Sequence, residues 1–116
     1  MVNFGSTQRY FVYQGSVDMR KSFDGLQGIV VNELKQIATT GDVFLFFNVR
    51  RTQVKLLAWD RSGFVIYYKR LESGRFEQIQ KQGVGVSKQL SWGELQMVME
   101  GIELSSIRQR KRYNQQ

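Results

Sequence analysis

The stretch Val43–Phe76, VFLFFNVRRTQVKLLAWDRSGFVIYYKRLESGRF, constrains the fold of this chain more than any other. It sets seven cations, two acids and eight aromatic rings in 34 positions. Three β-type runs, VFLFFN, QVKLLAW and GFVIYYKR, are separated by short polar breaks, which predicts three consecutive antiparallel strands. Asp60-Arg61-Ser62-Gly63 suits a type I turn, with Asp first and Gly last. That turn places Trp59, Leu57, Lys55 and Gln53 opposite Phe64, Ile66, Tyr68 and Arg70 on one face. Val54, Leu56 and Ala58 meet Lys69, Tyr67 and Val65 on the other. The second face is nearly all apolar and is the expected seat of a helix. The first mixes rings and cations, which core packing alone does not demand.

Val49-Arg50-Arg51-Thr52 carries no Gly or Asn of a primed turn, so the register of strands two and three is less firmly set. With Arg50 and Arg51 as loop residues, Phe44 and Phe46 join the mixed face and Val43, Leu45 and Phe47 the apolar one. Antiparallel order then gathers Arg50, Arg51, Lys69 and Arg70 on one rim of the sheet.

Upstream, Arg9–Gln14 (RYFVYQ) reads as a short first strand, ended by Gly15 and Ser16. From Ser22, a reasonable N-cap, Phe23, Leu26, Val30, Leu34 and Ile37 recur at helical spacing and mark a core-facing stripe. Thr39–Asp42 is a polar break. Gln78–Lys88 reads as a linker or irregular strand. Ser91 and Glu94 form a capping box, followed by Trp92, Leu95, Val98, Met99 and Ile102 at the spacing of a short second helix. The expected architecture is a single small α+β domain over residues 1–104. An antiparallel sheet of about four strands has the main helix on one face and a short C-terminal helix. Residues 105–116 form a basic tail, with Arg108, Arg110, Lys111 and Arg112 in five positions.

At 116 residues, 17 Lys and Arg against 10 Asp and Glu leave a net charge of +7. That favours polyanionic partners, with nucleic acid the commonest. The chain has no His, Cys or Pro. His- and Cys-based zinc sites, Cys nucleophiles, His triads and disulfides are therefore excluded. No run reaches the length of a membrane span, so a cytoplasmic protein is the default expectation. The ten acids are scattered through turns and helix surfaces, and no metal, cofactor, small-molecule substrate or catalytic residue is assigned. Gly83-Val84-Gly85-Val86-Ser87 lacks the Gly-Lys-Ser/Thr ending of a phosphate loop. Arg20 and Lys21 sit just before a helix N-terminus, where cations oppose the dipole unless they serve a contact. Asp18 pairing with Arg20 is the simpler reading, and a phosphate contact the functional one.

Three segments, GSVDMRKSFDGL (15–26), FLFFNVRRTQVKLLAWDRSGF (44–64) and YYKRLESGRF (67–76), resemble the TnpB-type accessory proteins. These are the second-reading-frame products of bacterial insertion-sequence family sixty-six. SWGELQMVMEGIEL (91–104) resembles that family's closing helix more loosely. The chain departs from the family pattern after Phe76, where an aromatic residue and a proline are expected. The resemblance implies a non-catalytic protein encoded beside a larger transposase and needed for efficient transposition.

Two readings of function follow. In the first, DNA binds through Arg20, Lys21, Arg50, Arg51, Lys55, Arg61, Lys69, Arg70, Arg75 and the basic tail, with Trp59, Phe64 and Tyr68 as stacking platforms. In the second, the mixed face docks on the separate transposase, or on another copy of the chain, without contacting DNA. A carboxylate-dependent nuclease using Asp18 or Asp60 is disfavoured by the dispersal of the acids.

Overall fold

The computed structural model of the protein describes residues 4–78 and 85–101. Seven elements follow one another: β1 (Tyr10–Ser16), α1 (Phe23–Asn32), β2 (Val43–Phe47), β3 (Gln53–Asp60), β4 (Gly63–Arg70), β5 (Ser87–Leu90) and α2 (Trp92–Glu100). The strands form one five-stranded sheet in the order β4-β3-β2-β1-β5. The class is α+β as expected, but the sheet is neither four-stranded nor purely antiparallel. β1 runs parallel to β2, because the chain crosses over through α1 before β2 begins. The fifth strand comes from Ser87–Leu90, within and just beyond the segment expected to be a linker, and pairs antiparallel with β1.

The β2-β3-β4 meander has the register that the alternation predicts. Phe44 faces Leu57 and Phe46 faces Lys55, while Trp59 faces Phe64 and Lys55 faces Tyr68. The β3–β4 turn differs from the expected type I. Arg61 takes φ 56°, the positive sign found in the primed turns that match strand twist.

All five residues of β2 are buried, with alternate side chains on opposite faces, so both faces of the sheet need cover. On one face, Leu26, Ile29 and Val30 of α1 pack with Phe44, Phe46 and Leu57. On the other, Leu95 and Val98 of α2, together with Phe76, pack with Leu45, Phe47, Val54 and Leu56. The main helix therefore sits on the mixed face, not the apolar one. The apolar face is closed by α2 and the segment after β4.

α1 also stops sooner than its stripe predicts. Lys35 adopts φ 56°, and the N–H of Gln36 reaches back to the Val30 carbonyl at 3.0 Å. Leu34 and Ala38 are still buried beyond the helix, whereas Ile37 is 69% exposed. Ser22 holds the N-cap position but its side chain makes no capping bond. At α2 the capping box is complete: Ser91 Oγ accepts from the Glu94 N–H at 3.1 Å, and Glu94 Oε1 accepts from the Ser91 N–H at 2.9 Å. That backbone bond holds the Glu94 carboxyl below its ordinary pKa.

Leu26 is fully buried between α1 and the sheet, so Leu26→Ala is expected to destabilise the fold by about 2–5 kcal/mol in urea titration. Ser91→Ala removes one half of the α2 cap and is expected to cost about 1 kcal/mol in the same assay.

Candidate nucleic-acid interface

The expected rim forms at the end of the sheet that carries the β2–β3 turn. Gln53 pairs with Arg70, and the chain continues in register, with the Leu71 N–H bonded to the Thr52 carbonyl at 2.9 Å. The segment after β4 folds back on the turn, its Phe76 N–H donating to the Arg51 carbonyl at 2.7 Å. Arg50, Arg51, Lys69, Arg70 and Arg75 are thus brought to one end. Asn48 organises the turn, its Oδ1 accepting from the N–H groups of Thr52 and Gln53 at 2.9 and 3.0 Å.

Several of these cations are engaged in holding the fold. Arg51, at φ 57°, lays its guanidinium over the Phe47 ring, 4.1 Å from the centroid. It donates to the carbonyls of Phe76 at 3.3 Å and Glu77 at 2.7 Å. Burial lowers its pKa from the ordinary value, but a guanidinium stays charged. Lys69 lies on the α2 face and donates to the Met99 carbonyl at 3.2 Å. It thereby satisfies one of the free carbonyls at the helix C-terminus, where a cation also suits the dipole.

Lys55 is the clearest correction to the expected interface, because it is only 7% exposed. Its ammonium donates to the backbone carbonyls of Met19 and Lys21, both at 2.7 Å, and lies 4.9 Å from the Tyr68 ring centroid. Two carbonyls and a ring face compensate the loss of water around the charge. The segment before α1 is pinned to the sheet as a result. No phosphate contact is open to this side chain.

Arg20 makes the simpler of its two expected contacts. Its Nε donates to Asp18 at 3.0–3.1 Å and its Nη2 at 2.7 Å. These bonds hold the Asp18 carboxyl at about 2, below its ordinary 3.8. Lys21, Arg50, Arg61 and Arg75 are exposed and make no ion pair among the described residues. Arg70 is exposed, with Glu72 at 3.9 Å.

The aromatic platforms do not form one surface. Trp59 and Phe64 pack edge to face at 5.0 Å, with Arg61 beside them at the β3–β4 turn. β4 separates that turn from Arg70 by roughly 24 Å at about 3.4 Å per residue. Phe64 contributes to the cluster under α1, and Phe44 and Phe46 are wholly buried there. Tyr68, 51% exposed, keeps an open ring, its hydroxyl bonded to Gln53 Oε1. Because α1 occupies the mixed face, the continuous ring-and-cation surface expected from alternation is absent. Arg108, Arg110, Lys111 and Arg112 lie outside the described residues, as do positions 79–84 of the 77–89 segment.

Among the described residues, two hollows open to solvent, about 460 Å³ beside Ser16–Met19, Asn48 and Gln53 and about 280 Å³ beside Tyr68, Arg70 and Glu72, are wider than the one cavity that reaches inward. A cavity of about 30 Å³ between Val12, Phe47, Arg51, Lys88 and Val98 has room for about one water. Among the described residues, no three acids converge as a metal site requires.

A family model described as IS66 Orf2 like protein matches residues 8–109. The chain belongs to this family. Two similar proteins come from Sinorhizobium fredii (strain NBRC 101917 / NGR234), and both carry the description of uncharacterized proteins. The one called y4jC is 35% identical over 68 residues, 59% of this chain and 58% of that protein. The one called y4hO is 28% identical over 103 residues, 89% of this chain and 88% of its own length. No solved structure matches the chain significantly. The match to the IS66 family spans both helices and all five strands, including the segments that depart from the expected pattern after Phe76.

Two outcomes are expected from the contacts described. Lys55→Met leaves the Met19 and Lys21 carbonyls without their donor, which should cost about 1–3 kcal/mol and speed amide exchange in residues 18–22. The folded pKa of Asp18 lies below its unfolded value, so its stabilising contribution is present above about pH 4 and fades as pH falls toward 2. NMR titration of the Asp18 carboxyl should give a midpoint near 2, and Arg20→Ala should return it toward 3.8.

Proposed function

We propose that this IS66 Orf2-like protein is a non-catalytic accessory factor in transposition that binds DNA through the β2–β3 end of its sheet. The observation that carries the reading is the convergence there of exposed Arg50, Arg70 and Arg75, in a chain of net charge +7. Glu72, Glu77 and Glu100 offset part of this charge. The last described residue, Gly101, lies at the same end, where an added Cβ would stand 3.0 Å from Leu71 and 3.7 Å from the Arg75 carbonyl. Arg51 and Lys69 shape the end without being free to grip a phosphate, and Tyr68 offers a ring on the same strand as Arg70. Phosphate neutralisation, with little base readout, is the chemistry such a surface can perform.

Fluorescence anisotropy with labelled single- and double-stranded DNA at 50 and 200 mM salt tests the reading. Binding should weaken steeply with salt, and an Arg50→Ala, Arg70→Ala, Arg75→Ala protein should lose about three units of salt slope if each arginine meets one phosphate. Absence of binding at 50 mM salt, or an unchanged slope in a variant with native circular dichroism, would overturn it.

A further inference from the structure

We propose that the α1 face of the β2–β3 end is a trough for single-stranded DNA, with the Tyr68 ring as the platform on which one unpaired base stacks. The inference rests on the DNA-binding reading above and narrows it to one form of DNA. Two open hollows meet at Gln53. One, of about 460 Å³, is lined by Ser16–Met19, Asn48, Val49 and Gln53. The other, of about 280 Å³, is lined by Tyr68, Arg70 and Glu72. Gln53 joins them, because it pairs with Arg70 across the ladder and its Oε1 accepts from the Tyr68 hydroxyl. The larger hollow reaches β1 through Ser16, which pairs with Phe47 of β2, so the trough crosses the sheet from β4 to β1. Three inter-strand steps of about 4.8 Å make it roughly 14 Å long. That is room for roughly four nucleotides at about 3.4 Å each.

The Tyr68 ring is held from behind. The Lys55 ammonium lies 4.9 Å from its centroid and is itself fixed by the Met19 and Lys21 carbonyls, while the Tyr68 hydroxyl is tied to Gln53. With one face turned to that ammonium and the residue 51% exposed, the opposite face is the one left to solvent. A ring already fixed in place stacks on a base with little further loss of entropy. Arg70 stands two positions on, on the same face of β4 and about 7 Å along the strand, where it meets a phosphate of the stacked nucleotide. Its contact with Glu72, at 3.9 Å and exposed on both sides, is too weak to withhold it. In the larger hollow the Asp18 charge is matched by Arg20. Val49, 80% exposed, gives that hollow an apolar wall for a sugar or base, with Arg50 next to it at the turn. A duplex cannot use the ring, because its bases are paired and stacked and only its phosphates and groove edges face outward.

The test compares the full chain on a labelled single strand of mixed sequence and on its blunt duplex, by anisotropy at 50 mM salt. The single strand should bind more tightly. Tyr68→Ala should weaken that binding by about 5- to 150-fold and weaken duplex binding far less, whereas Tyr68→Phe, which keeps the ring, should retain it. A 2-aminopurine base in the single strand should lose fluorescence on binding the unmodified protein and Tyr68→Phe, but not Tyr68→Ala. If Tyr68→Ala lacks native circular dichroism, the strand preference and the 2-aminopurine signal of the unmodified protein decide the matter. Equal or tighter duplex binding, an unquenched base, or a folded Tyr68→Ala protein that holds the single strand undiminished overturns the inference and leaves the DNA-binding reading standing. Absence of binding to either form overturns both.

Discussion

Double-sided burial of β2 is the constraint on which the rest of this molecule depends. Val43–Phe47 has no polar residue on either face, so a sheet covered on one side only would leave two phenylalanines or a Val-Leu-Phe row in water. At about 25 cal/mol per Å² of apolar surface, neither is tolerable in a domain of this size. The chain meets the demand with a helix on each face. It also places β2 in the centre of the sheet, between β3 and β1. The parallel crossover, the fifth strand and the return of Phe76 onto Phe47 at 5.5 Å all serve that enclosure.

What could be read in the sequence is what depends on neighbours in the chain. The register of β2, β3 and β4 follows from period-two alternation, and the α2 cap from Ser91 and Glu94, because the partners lie within a few residues of one another. Which face α1 would cover did not follow. Lys55 made that face look wet, since nothing local reveals that its ammonium would meet two backbone carbonyls from residues 19 and 21. The end of α1 was hidden for a related reason. Lys35 takes the left-handed conformation that glycine usually signals, so the stripe ran on past the true terminus. The polar segment around Ser87–Leu90 looked like linker because its partner, β1, lies more than seventy positions away.

The same distinction separates the cations. Clustering in sequence correctly placed arginines at one end of the sheet, but not how each would be used. Arg51 and Lys69 close the backbone of Phe76–Glu77 and of Met99, and Arg20 is taken up by Asp18. Arg9 binds Asp42 through two bonds of 3.1 and 2.7 Å, tying the start of β1 to that of β2. Among the described residues the cations thus divide in two, one set consumed in joining segments and one left facing solvent at Lys21, Lys35, Arg50, Arg61, Arg70 and Arg75.

The position of β1 carries a consequence for how the chain reaches this state. β1 lies between β2 and β5, both distant in sequence, whereas the β2-β3-β4 meander closes only short loops. Long-range pairings bear their closure entropy before any contact compensates it. Locality alone predicts that the meander assembles ahead of the pairings made by β1, and a chain cut before Ser87 would keep β1 as an open flank.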